Sequence, residues 1–562
     1  MSRERLWNLS PPPPPEYLKA FRGVPPAATQ IAYNRGIANP SELRTFLTPD
    51  KRLLPDPLLL PDMDRALERL EEAFRQEELI AIYGDFDADG VTATALLHEG
   101  LSKLGGRTTP YIPHRTEEGH GLSPQGVAAV RDLGASLILT ADCGVSSFDE
   151  VEAASDMGID VLITDHHSPP PDLPHALAVI DPKLKGSQYP SQNLAAVGVV
   201  YRLVQALSGR VGEPEDESLL DLVALGTVAD LAPLRDENRY LVKRGIEVLN
   251  ATTRPGIREM FVLAGLSLGE IGTEAISFAL GPRINAAGRV DHAMTSYRLL
   301  TATSAAEARP LAEELELRNR ERQRQSAEVL ERAIEQVEAV GVEQLLIMVG
   351  AEEYSPGVIG LAAGKLVEQF YRPAIVMTLG KEIVRASARS IPEFNIIDAL
   401  RQCRDLFLRF GGHSQAAGFI IAKENLEILK SRLLSIAEEK LSGLQLQPSI
   451  QIDVQIPLRD LEGRLIKFVG LLEPCGNGNP HPTFLSKGTR VVEVRQLGEE
   501  GRHLKLKLRD GSAVWDAIGF GLGSRAEGLA SRLDIVYQLK ADRRGGHEAL
   551  QLEILDLAPS RD

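Results

Sequence analysis

The chain has 562 residues, more than one hydrophobic core can organise, so three or four domains are expected. Hydrophobic residues make up 43% and charged residues 25%, an ordinary globular balance, and no apolar run approaches the ~20 residues of a membrane-spanning helix. The formal net charge of −16 speaks against unaided phosphate binding, which needs local positive charge, but an Asp-rich site offset by divalent metal gives the same sign.

Residues 1–50 read as an N-terminal appendage without a sizeable core of its own, and Pro11 to Pro15 as an exposed polyproline run. The N-terminus lacks the basic-then-apolar pattern of a secretion signal. The cysteines, Cys143, Cys403 and Cys475, lack zinc-type spacing. A reducing, cytoplasmic setting is expected.

Over 51–305 short apolar strands alternate with helices. LIAIY (Leu79–Tyr83), LILT (Leu137–Thr140), VLIT (Val161–Thr164) and LAVI (Leu177–Ile180) have buried-strand length, with helices between them at Thr92–Leu104 and Ser147–Met157. That alternation predicts an open parallel α/β sheet. Residues 306–340 predict one long helix whose charges are mostly solvated. Residues 341–445 repeat the α/β texture as a smaller domain. Residues 446–562 hold five strand-like runs, RVVEV, HLKLKLR, AVWDAIGF, DIVYQLK and ALQLEIL, and predict a small barrel of the OB type.

The chemistry lies at the strand ends of the first α/β domain. GDFDADG sets Asp85, Asp87 and Asp89 in a glycine-bounded turn; later strands end at Asp142, at Asp165-His166-His167 and at Asp181. Functional crevices of open parallel sheets lie beyond the carboxyl ends of the strands, so these groups should converge. So many carboxylates repel unless a cation sits among them, and Asp with imidazole suits Mn²⁺ or Mg²⁺. Two such ions would activate a water and clamp a phosphodiester. Taken singly, a strand-end Asp is often a helix N-cap, and a DxDxDG turn is often a calcium loop. Here the turn follows a strand, and the calcium loop's later Glu is missing. Asp230 ends the run LLDLVALGTVAD, where the helix dipole disfavours an acid unless it serves as a ligand.

GDFDADG, TADCG and the Asp165-His166-His167 triplet resemble motifs of the DHH phosphoesterase superfamily. YIPHRTEEGHGL (Tyr111–Leu122), LGTVADLAPL (Leu225–Leu234), GPRINAAGR (Gly281–Arg289), SPGVIG (Ser355–Gly360), ASARS (Ala386–Ser390), GGHSQAAG (Gly411–Gly418) and GNGNPHP (Gly476–Pro482) resemble the RecJ family in particular. The resemblance implies a parallel-sheet DHH catalytic domain, a long helix, a smaller α/β DHHA1 domain and an OB-type β-barrel. It implies a 5′→3′ exonuclease that hydrolyses single-stranded DNA to mononucleotides in repair and recombination, with a helicase and a single-strand-binding protein as partners. By motif, Asp87, Asp89, Asp142, His166 and Asp230 would be metal ligands; Asp85 and His167 would lie beside them, with His167 toward the scissile phosphate. Longer members carry a further C-terminal domain; here the pattern is expected to end with the barrel. A monomer is the default expectation.

For substrate binding, His114 and Arg115 stand where a guanidinium would hold a phosphate near the metals, and Arg283 with Asn285 in GPRINAAGR follows the same logic. Ser387 and Arg389 alternate on one strand and share a face; by resemblance they would hold the 5′ end. Gly411-Gly412-His413 forms a turn whose backbone N–H groups suit phosphate, although a tight turn alone predicts the same glycines. Gly364-Lys365 fails the spacing of a nucleotide-binding loop. His503, Lys505, Lys507 and Arg509 alternate with leucines, giving a cationic stripe outside and an apolar one inside. Arg543 and Arg544 are expected in a hairpin turn nearby, and Trp515, Phe520 and Tyr537 are candidates for stacking on bases. Two other functions fit parts of the pattern. A DHH phosphodiesterase for short oligonucleotides or cyclic dinucleotides leaves the barrel without a task, and a non-catalytic replication scaffold leaves the metal ligands without one.

Overall fold

The computed structural model describes residues 5–115, 118–341, 344–542 and 549–560. Its contacts divide the chain into two units. The first comprises the segment up to Gly281, Leu300–Thr303 and the segment from Ser449; the second comprises Pro282–Leu299 and Ser304–Pro448. No described helix is long and apolar enough to cross a membrane.

In the first unit, β1 (Leu79–Gly84), β2 (Arg107–Tyr111), β3 (Leu137–Ala141), β4 (Asp160–Thr164) and β5 (Ala178–Ile180) form a parallel sheet in the order β2-β1-β3-β4-β5. The inner strands are continuous apolar runs because both faces are covered; every residue of β3 is buried. Helices α1 (Ala88–Lys103), α2 (Ala196–Val211) and α3 (Leu220–Ala229) pack on one another. The strand order reverses between β1 and β3, so the crevice at their carboxyl ends is the topological switch point of the sheet.

In the second unit, α4 (Ala305–Val340) leads into β6 (Ile347–Ala351), β7 (Ala374–Leu379), β8 (Ile383–Arg389), β9 (Phe407–His413) and β10 (Ala416–Ala422), a mixed sheet in the order β9-β10-β8-β7-β6. The helix is not simply a solvated rod. Asn319 is buried, and the Arg322 guanidinium bonds the Asn319 amide oxygen at 2.8 Å while its Nε is buried without a hydrogen-bond partner.

The C-terminal strands belong to the first unit: β11 (Phe484–Leu497), β12 (His503–Asp510), β13 (Ala513–Gly519), β14 (Arg532–Asp542) and β15 (Ala549–Pro559). Pairing runs β11-β12-β13-β15-β14, and β14 returns to β11 to close a barrel. Leu504, Leu506 and Leu508 are buried inside it, and Lys505 and Arg509 face out, as the alternation predicts. Of the aromatic candidates, Tyr537 is fully buried, stacked on Phe484 with ring centroids 5.6 Å apart, and its hydroxyl meets Ser486; it is core and cannot stack on a base. Trp515 also packs against the barrel core, because its register partner is the inward Leu508. Phe520 is 48% exposed. Arg543 and Arg544 lie outside the described residues. Near the N-terminus, Ile31, Ala32 and Leu43 join one apolar cluster with Leu458, Phe468, Leu533 and Ile535, and Leu6–Leu9 pairs in parallel with Ser449–Ile452.

Candidate metal centre and nucleic-acid interface

Three strand ends are locked in step by backbone bonds that continue the ladder. The Asp85 N–H donates to the Ala141 carbonyl at 3.1 Å, Asp142 to Thr164 at 3.2 Å, and Asp165 to Ile180 at 3.1 Å. Asp85 and Asp142 therefore flank the switch point directly. Asp142 has φ +71, a left-handed backbone that costs a non-glycine residue roughly 1–2 kcal/mol and tends to cluster at functional sites.

Asp87 is the N-cap of α1; its Oδ1 accepts from the N–H groups of Asp89 and Gly90 at 2.9 and 3.2 Å. A Cβ on Gly90 would lie 2.6 Å from the Asp85 carbonyl oxygen, so the turn that gathers these acids needs glycine there. Asp89 is buried, and its carboxylate accepts from Ala196 and Val197 at the start of α2 at 2.7 and 2.9 Å. Burial, with Asp230 nearby, pushes the Asp89 carboxyl up to about 7. Burial raises Asp142 well above the carboxylate range, helped by Asp87 and Asp89, and also raises Asp230.

The donor atoms fall into overlapping groups, each within 4.8 Å: Asp85, Asp87 and Asp142; Asp89, His166 and Asp230; Asp142, His166 and His167. Asp142 and His166 belong to two groups each, the arrangement expected of neighbouring ion positions that share ligands. The Nδ1 of His166 faces the Leu194 carbonyl at 3.1 Å, so Nδ1 carries the ring proton. Its other ring nitrogen, Nε2, points at Asp142 Oδ1, 3.1 Å away, and at Asp89 Oδ2, 3.8 Å away. An imidazole nitrogen facing carboxylate oxygens is satisfied by a shared proton or by a metal ion between them. Asp85 Oδ1 and Asp142 Oδ1 are also buried without hydrogen-bond partners. These oxygen and imidazole donors fit Mg²⁺ or Mn²⁺.

His167 is held differently. Asp165 Oδ1 accepts from the His166 and His167 N–H groups at 2.7 and 3.1 Å and from His167 Nδ1 at 2.8 Å, while Oδ2 accepts from Val145 N–H at 3.0 Å. This bond to Asp165, more than the opposing burial, raises His167 to about 9. Burial alone would raise Asp165, but its bonds to His167 bring it down to about 2. Asp165 is thus spent on holding the histidines. Asp181, expected to converge with the other acids, belongs to none of the donor groups among the described residues; it follows the edge strand β5, and its Oδ1 accepts from Lys183 N–H at 2.7 Å. Lys183 Nζ bonds the His166 carbonyl.

Arg115 lies 4.8 Å over the Phe86 ring. Burial lowers its pKa, and Asp85 and Asp87 oppose that shift, so the guanidinium borders the acids. His120, missed in the sequence although it lies within GHGL, sits 3.8 Å from Asp85 Oδ2. His114 is anchored through its N–H to Glu118 at 2.7 Å.

A fourth donor group, Glu473, Cys475 and His481, reads differently. Lys540 bonds Glu274, which also faces His481, and Arg35 and Arg239 lie near Cys475. That local positive charge disfavours a cation, and burial keeps the thiol protonated.

In the second unit, Arg283 Nε bonds Glu316 at 2.8 Å, and Asn285 lies in the same helix, Gly281–Val290. On the sheet, Ser387 pairs across to Gly418 and on to Gly411, and Arg389 to Ala416 and on to His413. Cross-strand partners share a face, so Ser387, Arg389, Gly411 and His413 stand together, while Gly412 points the other way. Arg389 bonds Ser387 Oγ at 3.2 Å. A Cβ on Gly360 would come within 2.9 Å of that oxygen and 3.3 Å of the guanidinium, so glycine there is what lets the SPGVIG segment approach the pair this closely. Burial lowers the Arg389 pKa, and its guanidinium bonds the Ser387 hydroxyl and the Ala388 carbonyl. On the barrel, Lys505 lies beside Arg495, and Lys507 between Glu493 and Asp516, on the outer face.

Family models match along the chain: the DHH family N-terminal domain over residues 79–227, the DHHA1 domain over 340–439 and the RecJ OB domain over 452–556. The single-stranded-DNA-specific exonuclease RecJ of Bacillus subtilis is 39% identical over 541 residues, covering 96% of this chain and 68% of the relative. The crystal structure of RecJ from Thermus thermophilus with Mn²⁺ superposes with a TM-score of 0.85 at 31% identity, covering 99% of this chain and 80% of that one. The same protein with Mg²⁺ gives a TM-score of 0.80 at 30% identity, over 99% and 79%. With relatives so similar over nearly its whole length, the chain belongs to the RecJ family.

Proposed function

We propose that this protein is a divalent-metal-dependent exonuclease that hydrolyses single-stranded DNA from its 5′ end to mononucleotides. The observation that carries the reading is the set of overlapping donor groups that share Asp142 and His166, with His166 Nε2 facing Asp142 and Asp89 amid unpartnered buried oxygens at the switch point of the sheet. Asp85, Asp87, Asp89, Asp142, His166 and Asp230 are the proposed ligands of two Mn²⁺ or Mg²⁺ ions, which would lower the pKa of a bound water so that hydroxide is available as the nucleophile and would neutralise charge on the phosphodiester. Asp165 keeps His167 protonated, so His167 offers a positive N–H donor to the scissile phosphate. Arg115, with its guanidinium beside Asp85 and Asp87, holds the adjoining phosphate. Ser387, Arg389 and His413 grip the terminal 5′ phosphate, and Arg283, Asn285, Lys505 and Lys507 line the strand's path. Base identity is not read, because the proposed contacts are with phosphates. The same reading extends to a helicase and a single-strand-binding protein as suppliers of substrate.

The test is digestion of single-stranded DNA labelled at either end, with Mn²⁺, Mg²⁺ or EDTA, beside Asp142→Ala. Metal-dependent mononucleotides from the 5′ end, lost in the variant, are expected. Cleavage confined to short oligonucleotides or cyclic dinucleotides would replace the reading with a small-substrate phosphodiesterase. DNA binding without cleavage under any metal would leave a scaffold.

A further inference from the structure

The loop Gly476–Pro480 lies far along the chain from the acids, yet it is built against the segment that follows Asp230. Asp230 caps α3, and the turn after it is a Schellman motif: the Leu231 N–H donates to the Val228 carbonyl at 3.2 Å and the Ala232 N–H to Thr227 at 3.2 Å. The residue that such a motif needs in the left-handed conformation is usually glycine. Here it is Leu231, with φ +59 and 63% exposed, so no packing of its side chain compensates for its backbone. Beyond those two backbone bonds it is held by Asn477, whose side-chain amide donates to the Leu231 carbonyl at 2.5 Å. The Asn477 carbonyl accepts from Leu234 N–H at 2.8 Å, and the Gly478 carbonyl accepts from Arg235 Nε at 2.7 Å. The approach is too close for side chains: a Cβ on Gly476 would lie 2.8 Å from Leu234, and one on Gly478 2.9 Å from Pro233. The loop is itself fixed by buried Asn479, which bonds the Leu472 and Pro474 carbonyls at 2.8 and 2.9 Å and receives Arg35 Nε at 2.9 Å.

We propose that Asn477 is a positioning residue for the metal centre: it pins the Leu231 carbonyl, holds the left-handed turn against its strain, and so aims the Asp230 carboxylate at His166 and Asp89. This rests on the metal-centre reading of the Proposed function. It gives the GNGNPHP motif a task in catalysis, performed from the segment that precedes the barrel.

The test compares full-length wild type, Asn477→Ala, and the double variant Asn477→Ala/Leu231→Gly. Mn²⁺ affinity is measured by titration with electron paramagnetic resonance, beside kcat, KM for single-stranded DNA and thermal melting. Asn477→Ala is expected to weaken Mn²⁺ binding about tenfold or more and to lower kcat, with KM little changed. Leu231→Gly adopts the turn without strain and should restore most of the affinity in the double variant. Unchanged Mn²⁺ binding in Asn477→Ala would overturn the proposal. So would a loss that tracks a fall in melting temperature and is not reversed by glycine, because the loop would then be only structural. Failure of the wild type to bind Mn²⁺ would instead sink the metal-centre reading, and this inference with it.

Discussion

The Leu194 carbonyl decides which nitrogen of His166 faces the acids, and burial decides how those acids titrate. Asp89, Asp142 and Asp230 all hold their protons more tightly than an exposed carboxylate. A metal ion must displace those protons. Apparent Mn²⁺ affinity should therefore fall as pH drops below about 7, the value for Asp89, and do so by about tenfold per unit for each proton displaced. Titrations at pH 6 and pH 8 check this; equal affinities would mean that the carboxylates are already ionised without metal. At this scale the sequence was legible in part. A carboxylate at the end of a buried strand is visible as a pattern, and Asp85 and Asp142 were readable that way. Whether such an acid is left open or consumed by neighbouring N–H groups is a tertiary matter. Asp165 looks like its neighbours in sequence, yet its oxygens are taken by Val145, His166 and His167.

A single strand shows the same division between pattern and register. The period of two put Ser387 and Arg389 on one face of β8, but only the pairing through β10 to β9 brings Gly411 and His413 beside them. Register across strands 20 or more positions apart is not written in local spacing. The barrel shows the converse: alternation correctly turned Leu504, Leu506 and Leu508 inward, while Tyr537 was misassigned because its hydroxyl finds Ser486 inside the core. The β8 face yields a prediction specific to one phosphate. Arg389→Ala removes charge-assisted hydrogen bonds of about 1.5–3 kcal/mol, so KM for 5′-phosphorylated single-stranded DNA should rise roughly tenfold to a hundredfold. With a 5′-hydroxyl substrate the variant and wild type should differ little. Equal losses on both substrates would remove the terminal-phosphate role. On α4, whose charges were expected to be mostly solvated, Arg322 has its Nε buried and unpartnered; helical period alone does not separate it from the ion-paired Arg324.

Across the whole chain the net charge of −16 is partly a property of the strand-end crevice, where acids are gathered against their mutual repulsion. The sharing of one core by Ile31, Leu43, Leu458 and Ile535 was not legible, since apolar periodicity says that a face is buried but not against which distant segment. The crowded acids make stability depend on pH and metal together. The folded Asp89 carboxyl titrates at about 7, above its ordinary value near 4. A group raised in this way favours the folded state fully below its unfolded pKa, and that contribution is lost as pH rises through the folded value. In EDTA the unit containing the crevice should therefore melt at a lower temperature at pH 8 than at pH 6, so far as these acids set the trend. Bound cations replace the lost protons, and at a hundredfold excess over Kd they add about 2.7 kcal/mol. Mn²⁺ should raise the melting temperature by several degrees at pH 8 and by less at pH 6, where protons compete. Asp142→Ala removes both a repelling charge and a shared ligand, so its melting temperature in EDTA at pH 8 should exceed that of wild type while its response to Mn²⁺ shrinks. A wild type equally stable in EDTA at both pH values, with no larger gain from Mn²⁺ at the higher one, would mean that the acids are not held together against their charge.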